Sequence, residues 1–315
     1  MALHPLTTEM INSVIEQQLD LWPEARDNFF RLREAERRAL VLEDLAGAVQ
    51  HNPARIRSTG ASVDAASVAA RPCFLCSSNR PSEQISYEWP DGWDFLVNPY
   101  PVLPVHFTIA SKTHRPQDRI PLDMAVMAET APDLAFFFNG ARAGASAPDH
   151  MHVQAVLKTE LPLIRLAESF HPDHRHGFMT SAESGLSLPF QFISAVITPD
   201  ATGMKTLALA HHAFGIDADT GEADQGLVNA FFWTGDSGLL RCIVVPRRRH
   251  RPSCFHAEGR DRYLISPGAI DMAGLVITPR REDFERLDTD IMKAIYGEVA
   301  FAGTLPMTIL KHFRL

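Results

Sequence analysis

Short apolar stretches bounded by turn residues recur along this chain, and several of them alternate apolar with polar positions. Alternation of this kind predicts β-strands that bury one face, whereas short continuous apolar runs are typical of strands buried on both faces. One pair of stretches would form a hairpin that turns at Pro90-Asp91-Gly92. The predicted strands lie in residues 87–97, 105–110, 134–138, 153–157, 191–198, 227–233, 239–245 and parts of 263–278.

Other apolar residues recur at helical spacing. Thr7 or Thr8 can cap a helix over residues 7–21, and Pro23 suits the first position of a second helix that would reach Leu45. A stretch rich in Ser, Ala and Gly, residues 58–70, predicts an exposed linker. Strands and helices mixed in this way predict an α+β fold, a mostly antiparallel sheet with flanking helices. Further helices are predicted over residues 122–131, 161–170, 201–214 and 281–296.

Composition is that of an ordinary globular protein, with 315 residues of which 45% are hydrophobic and 22% charged. The formal net charge of −8 argues against a general nucleic-acid binder or membrane-surface binder, because such proteins neutralise polyanions. No run of about 18 apolar residues is present, and the first ten residues lack a signal-peptide core. Four cysteines do not make a disulfide framework, so a cytoplasmic protein is expected.

Chemistry is concentrated in residues 139–154, NGARAGASAPDHMHVQ. His150, His152 and Gln154 are spaced by two, so on a strand they would share one face while the residues between them enter a core. Two such histidines alone are more often structural or solvated. The preceding Gly144 favours a chemical role over a structural one, because a glycine loop offers backbone N–H groups to an anion. An imidazole beside anion-binding amides suits chemistry at phosphorus.

A CxxC pair, Cys73 and Cys76, follows the predicted linker. Two thiolates at this spacing can ligate one metal ion, while a redox pair and two inert buried cysteines are the alternatives. Farther along, residues 171–176 hold three histidines, which indicate either a second metal site or, more simply, a solvated loop. The acidic stretch 217–224 lacks the ligand pattern of a calcium loop.

The pattern N-x4-G-x-S-x3-H-x-H-x-Q resembles the signature of the histidine triad superfamily. It is most similar to the transferase branch, which includes galactose-1-phosphate uridylyltransferase, diadenosine tetraphosphate phosphorylase and GDP-L-galactose phosphorylase. A second pattern, N-P-x-P-x-x-P-x-H-x-x-I-x-x-K-x-H over residues 98–114, resembles the segment that precedes the catalytic strand in this family. The resemblance covers roughly residues 72–290, and Gln154 stands where the hydrolase branch has a third histidine.

The resemblance implies a role for each matching residue. His152 would be the nucleophile that forms a covalent nucleotidyl-histidine, assisted by Ser146 and Gln154. By the same resemblance His114 would be a metal ligand, with His106 as the rival. A structural zinc ion would be bound by Cys73, Cys76, His114 and His150, and the nucleotide would be bound by Asn98, Asn139, Gly144 and Ala145.

A basic run, residues 247–251, follows the predicted strand 239–245 and holds Arg247, Arg249 and Arg251. Basic runs are usually solvated, but a strand end beside a phosphate site makes anion binding about equally expected. The arginines are therefore added to the nucleotide-binding candidates.

Three regions are expected from these features: an N-terminal helical extension and linker (1–70), a catalytic histidine-triad-like half (71–185) and a second such half (186–315). The second half has no HxHxQ, so one active site per chain is expected. The resemblance implies a nucleotidyltransferase or phosphorylase acting on a nucleoside diphosphate sugar or a dinucleoside polyphosphate. Phosphate or a sugar phosphate would be the acceptor, and a homodimer is common among such folds. A nucleotide hydrolase and a non-catalytic, zinc-stabilised nucleotide-binding protein are the alternatives.

Overall fold

Strands and helices are mixed along the chain in a computed structural model that describes residues 6–89, 92–169 and 178–314. The α+β class with a mostly antiparallel sheet is confirmed. The strands are β1 (Arg37–Leu42), β2 (Leu45–His51), β3 (Tyr87–Trp89), β4 (Trp93–Val97), β5 (His106–Ser111), β6 (Leu134–Asn139), β7 (His152–Leu157), β8 (Met179–Thr180), β9 (Ile193–Ile197), β10 (Gly215–Ile216), β11 (Ala223–Asp224), β12 (Val228–Thr234), β13 (Leu240–Pro246) and β14 (Leu275–Thr278).

Helices flank the strands in both parts of the chain, and within the described residues none is long and apolar enough to span a bilayer. They are α1 (Thr8–Leu21), α2 (Pro23–Arg33), α3 (Ile56–Thr59), α4 (Ala65–Ala69), α5 (Asp123–Thr130), α6 (Pro162–Ser169), α7 (Ala201–His211), α8 (Ser253–His256), α9 (Ala269–Met272), α10 (Arg281–Arg286), α11 (Thr289–Val299) and α12 (Met307–Phe313).

The main sheet has nine strands in the order β3-β4-β5-β7-β6-β12-β13-β9-β8, and all neighbouring strands are antiparallel. Five of these strands come from the N-terminal side of the chain, β3 to β7, and four from the C-terminal side. The two sets meet where β6 pairs with β12. One continuous sheet therefore carries both expected halves, and their division after residue 185 stays a prediction.

Alternating side chains of the central strands fill two cores, one on each face of the main sheet. Phe136 and Phe138 of β6 enter one core, while Phe137 between them enters the other. This is the period of two that a strand buried on both faces requires. Helices α1, α5, α7 and α12 cover the first face. The second face is covered by α6, α9 and α11 together with a small sheet of β1, β2 and β14.

The prediction of one helix from Pro23 to Leu45 is wrong. Helix α2 ends at Arg33, and residues 37–51 form the antiparallel hairpin β1–β2. Along β1, Leu40 and Leu42 are buried while Val41 is exposed, which is strand and not helix periodicity. The hairpin is completed by the parallel strand β14, far away in sequence, so local propensity could not identify it.

Smaller differences concern element boundaries. The expected linker 58–70 contains part of α3 and all of α4, and the expected β structure in 263–278 is limited to β14. The predicted helix 281–296 is two helices, because Asp288 starts α11 by accepting a hydrogen bond from Ile291 N at 2.8 Å. The histidine-rich stretch 171–176, Phe170 and the turn residues 90–91 lie outside the described residues.

Candidate active site

Strand β7 positions two of the polar side chains predicted to carry chemistry, His152 and Gln154. It lies between β5 and β6 in the sheet, and Val153 faces the opposite side, 1% exposed in the core. The alternation predicted along this strand is thus confirmed. The strand begins at His152, however, so His150 lies in the turn before it and its direction is set by that turn.

Four side chains from three separate segments converge in front of this turn: Cys73, Cys76, His114 and His150. Their ligand atoms all lie within 4.8 Å of one another. Cys73 Sγ is 3.2 Å from His150 Nδ1, and Cys76 Sγ is 3.2 Å from His114 Nδ1. Ligand atoms of a tetrahedral zinc ion lie roughly 3.3–3.8 Å apart, given bonds of about 2.0–2.3 Å. The cluster therefore has the composition and spacing of a closed metal site.

Hydrogen bonds around the cluster orient its imidazoles. His150 Nε2 lies 2.7 Å from the carbonyl oxygen of Ser111, which can only accept, so Nε2 carries the proton and Nδ1 is left as a metal donor. Asp149 lies 4.0 Å from His114 Nε2 and is itself paired with Arg71 at 3.0 Å. The contact with Ser111 fits a bound metal and fixes the ring nitrogen that His150 would offer.

His152 is 3% exposed and has one nitrogen committed to the backbone. Its Nδ1 lies 2.8 Å from the carbonyl oxygen of His150, so Nδ1 carries the proton and Nε2 keeps a lone pair. Burial lowers the pKa of His152 to about 4, which makes the imidazole neutral at pH 7. The side chain lines a large pocket. A neutral, oriented imidazole that faces a pocket is suited to act as a nucleophile.

Gln117 holds the backbone of His152 in place, a contact that the sequence did not indicate. Its amide oxygen accepts from His152 N at 2.8 Å, and its amide nitrogen donates to the carbonyl oxygens of His152 (2.7 Å) and Asn139 (2.9 Å). Gln117 is completely buried. It lies in an irregular segment with no periodicity, so no sequence signal marked it.

Gln154 is oriented by His106, which is part of strand β5 and not of the metal cluster. The backbone N–H of Val102 donates to His106 Nδ1 at 3.2 Å, so the ring proton is on Nε2. Nε2 lies 2.8 Å from Gln154 Oε1. Burial lowers the pKa of His106 to about 3, so the ring stays neutral. Because Oε1 receives that proton, the amide NH₂ of Gln154 is left for a ligand.

The glycine loop between β6 and β7 packs tightly against the second half of the chain. Gly144 has φ +100°, and a Cβ there would lie 2.6 Å from Gly268 Cα, so this position requires glycine. Asn139 does not point freely into the loop: its Oδ1 accepts from Asn229 Nδ2 (3.0 Å) and Ala269 N (2.7 Å). Ala145 is buried beside these contacts.

The three arginines of the basic run have three different environments. Arg247 is completely buried and donates to Val299 O and to Asn229 Oδ1, at 2.9 and 2.6 Å, so it holds the glycine loop through Asn229. Arg249 pairs with exposed Asp219 at 3.3 Å. Arg251 lines a cavity beside the loop. Of the three, Arg251 is placed to meet a ligand.

Two cavities meet beside Gln154. The larger, about 580 Å³, is lined by His152 and by rings and apolar groups that include Trp22, Phe74 and Leu96. Its size falls in the range of small-molecule sites. Asn98 also lines it, donating to Thr108 Oγ1 at 3.1 Å.

The smaller cavity, about 70 Å³, is polar and includes Gly144 and Arg251 in its wall. Ser146, Gln154 and Arg55 line both cavities. Arg55 was missed because it lies between the predicted helix that would reach Leu45 and the predicted linker 58–70, in a stretch for which no element was predicted. If β2 had been recognised, Arg55 would have been identified as a basic residue that follows a strand end. The basic run 247–251 was selected by the same criterion.

Comparisons with known proteins agree with this architecture. A domain family described as a domain of unknown function, DUF4922, matches residues 14–157. No curated protein matches the sequence significantly. Among solved structures, yeast Ap4A phosphorylase Apa2 is similar over 90% of this chain and 98% of its own, with a TM-score of 0.54 and 16% identity.

Two further structures of the yeast enzyme give the same result. Its complex with AMP has a TM-score of 0.55 at 14% identity, covering 92% of this chain and 98% of that one. Its complex with Ap4A has a TM-score of 0.56 at 14% identity, covering 91% and 99%. The chain has the fold of this phosphorylase. The fold expected from the two sequence patterns, that of a diadenosine tetraphosphate phosphorylase, is thereby confirmed.

Proposed function

We propose that the protein transfers a nucleotidyl group through a covalent intermediate on His152. The observation that carries the proposal is the neutral His152 imidazole, whose Nδ1 is bonded to the His150 carbonyl and which lines a pocket large enough for a nucleotide. The fold supports it, since the yeast structures with this fold hold AMP and Ap4A. The proposed substrates are dinucleoside polyphosphates and nucleoside diphosphate sugars.

In the first step His152 Nε2 attacks the α-phosphorus of the substrate, and a phosphoanhydride P–O bond breaks as the N–P bond forms. The leaving phosphate departs with the bonding electrons. The proton stays on Nδ1, and its hydrogen bond to the His150 carbonyl oxygen stabilises the positive charge that develops on the ring. The NH₂ of Gln154, the Ser146 hydroxyl and amides near Gly144 can bind the non-bridging oxygens. An acceptor oxygen then displaces His152.

The four-residue cluster supports a further part of the proposal, one structural zinc ion held by Cys73, Cys76, His114 and His150. When bound, such an ion supplies a rigid link between the CxxC turn and the His150 turn. That link fixes the carbonyl oxygen of His150, which accepts the hydrogen bond from His152 Nδ1.

The test uses a substrate labelled at the α-phosphate. Wild-type protein should retain the label after denaturation without acid, because phosphoramidates are acid-labile, while His152→Ala should fold, bind metal and retain none. Turnover of the variant should fall by several orders of magnitude. His256→Ala, an exposed histidine, is the matched control and should behave as wild type. Normal turnover in His152→Ala would disprove the proposal.

A further inference from the structure

Strands β6 and β7 stop pairing with each other before they reach His152. Their last facing residues are Phe137 and Gln154. The same register would place Asn139 opposite His152, yet Asn139 is paired only on its other side, where β6 continues along β12. The sheet is therefore open between the two strands at the position of the nucleophile, and the loop 140–151 leaves and re-enters the sheet there.

The side-chain amide of Gln117 occupies the gap between the strand ends. Its Oε1 accepts from His152 N at 2.8 Å, and its Nε2 donates to the carbonyl oxygens of His152 and Asn139, at 2.7 and 2.9 Å. A side-chain amide has the same donor and acceptor groups as a peptide bond. Gln117 therefore replaces the ladder hydrogen bonds that the two strands would otherwise exchange, and it holds their ends apart.

The backbone of Gln117 holds the loop between these strands at both of its ends. The N–H of Gln117 donates to Pro148 O at 3.0 Å, and its carbonyl oxygen accepts from Ala141 N at 3.2 Å. Gly144 and Ser146, the expected phosphate-binding residues of the loop, lie between these two contacts in sequence. One residue thus connects the nucleophile to the loop on either side of its glycine.

Only one orientation of the Gln117 amide satisfies these contacts. Rotation by 180° would place Oε1 against two carbonyl oxygens, which only accept, and Nε2 against the His152 N–H, which only donates. Gln117 is completely buried, so water does not compensate for such a rotation. The relation between His152 and the loop is therefore fixed before a substrate binds.

We propose that Gln117 is a positioning residue for nucleotidyl transfer, which sets the placement of His152 Nε2 relative to the amides of the loop. This inference rests on the proposed function, because the α-phosphorus would lie between these two groups. A misplacement of about 1 Å can slow a reaction about a hundredfold, since attack needs aligned atoms roughly 3–3.5 Å apart. Gln117 lines neither cavity, so its loss should slow transfer without weakening nucleotide binding.

Single-turnover labelling with a substrate labelled at the α-phosphate separates the transfer rate from binding. Gln117→Met removes the amide and keeps the length of the side chain. The maximal rate of labelling should fall about tenfold to a hundredfold, while the half-saturating substrate concentration and the metal content should stay as in wild type. Gln117→Asn keeps the amide but withdraws it by about 1.5 Å, one C–C bond, and should also be slow. It serves as the test if Gln117→Met does not fold.

Gln191→Met is the matched control for a merely structural effect. Gln191 is also buried, and its Oε1 accepts from Ser181 Oγ at 2.8 Å and from Ala182 N at 3.2 Å. It lies just before β9, which β6, β12 and β13 separate from β7. Both Met variants should melt at a lower temperature than wild type, and only Gln117→Met should be labelled slowly. An equal loss of labelling rate in both variants would show that Gln117 only supports the fold.

A measurement without substrate separates this inference from the proposed function. Nitrogen NMR with isotope-labelled histidine reports which ring nitrogen carries the proton, and the His152 signal is the one missing from His152→Ala. Wild-type protein should show the proton on Nδ1. Gln117→Met should show a mixture of tautomers, because the backbone of His152 is no longer held beside the His150 carbonyl. An unchanged ring signal in Gln117→Met would overturn the inference.

The two experiments together distinguish the two possible failures. If the ring signal changes in Gln117→Met but wild-type protein forms no labelled enzyme, Gln117 positions His152 and the proposed function fails. If wild-type protein and Gln117→Met are labelled at the same rate, the proposed function stands and the positioning role of Gln117 fails.

Discussion

His106 donates from Nε2 to Gln154 Oε1, so we expect it to affect the reaction through Gln154, and this can be tested at the scale of single residues. The Nε2–H of His106 fixes the amide so that its NH₂ faces the pocket. Without that donor the amide can rotate and present its oxygen, which repels a phosphate oxygen. One neutral hydrogen bond contributes about 1 kcal/mol, so His106→Leu should slow nucleotidyl transfer about fivefold. His106→Gln should restore most of the rate, because its amide N–H can donate to Gln154.

The control for this prediction is a double-mutant cycle. In a Gln154→Met background there is no amide to orient, so His106→Leu should have little further effect on kcat. If His106→Leu is equally harmful in both backgrounds, His106 supports the fold and does not orient Gln154.

In the basic run, the environment of each arginine is set by the segments that pack around it. Arg247, Arg249 and Arg251 are two residues apart, yet the first is buried, the second pairs with Asp219 and the third lines the smaller cavity. Identical side chains at regular spacing carry no local information about which of them meets a ligand. The packing of the surrounding segments makes that distinction.

At the scale of elements, the CxxC turn and the His150 turn are held together by the four-residue cluster. Protein purified without chelator should contain about one zinc ion per chain. Chelation should lower the unfolding free energy by several kcal/mol, because the metal is bound by the folded chain and not by the unfolded one. Metal analysis and thermal melts with and without chelator measure the two effects.

Cys73→Ala should lose the metal and the extra stability together. Cys254→Ala is the matched control, since Cys254 is half-buried and lies outside the cluster, and it should keep the metal. A metal-free preparation that melts at the same temperature as metal-bound protein and turns over normally would contradict this prediction.

At the scale of the whole molecule, the buried histidines make stability depend on pH. Burial lowers the pKa of His106 and His250 to about 3 in the folded chain, against about 6.5 when unfolded. Between pH 3 and pH 6.5 the unfolded chain binds more protons than the folded chain. The contribution of these histidines to the unfolding free energy is therefore fully present above pH 6.5 and is lost as the pH falls. At pH 5 each histidine accounts for a loss of up to about 2 kcal/mol. Burial raises the pKa of Asp271 to about 6, which opposes part of this loss.

Denaturant unfolding between pH 7 and pH 5 measures this dependence. The unfolding free energy of the wild-type protein should decrease over that range. In His106→Gln this decrease should be smaller by the contribution of one histidine. The exposed His256→Gln control should leave the slope unchanged. An unchanged slope in His106→Gln would show that His106 is not buried in its neutral form.

Much of the fold followed from local pattern. The central strands were found because short apolar runs such as residues 134–138 and 227–233 fit the period of a sheet buried on both faces. The hairpin β1–β2 was missed because its partner β14 lies far away in sequence: Thr278 Oγ1 donates to Gln50 O across 228 positions. A strand stabilised by so distant a partner is not marked by its own propensity.

The sequence by itself determined the elements of the site whose geometry is local. The spacing of His152 and Gln154 sets a common face because strand side chains alternate, and the CxxC spacing lets two thiolates meet on one turn. Only the tertiary structure decided that Arg55 and Arg251 share a cavity and that His106 orients Gln154. Those relations join segments remote in sequence, and packing, which has no local period, brings them together.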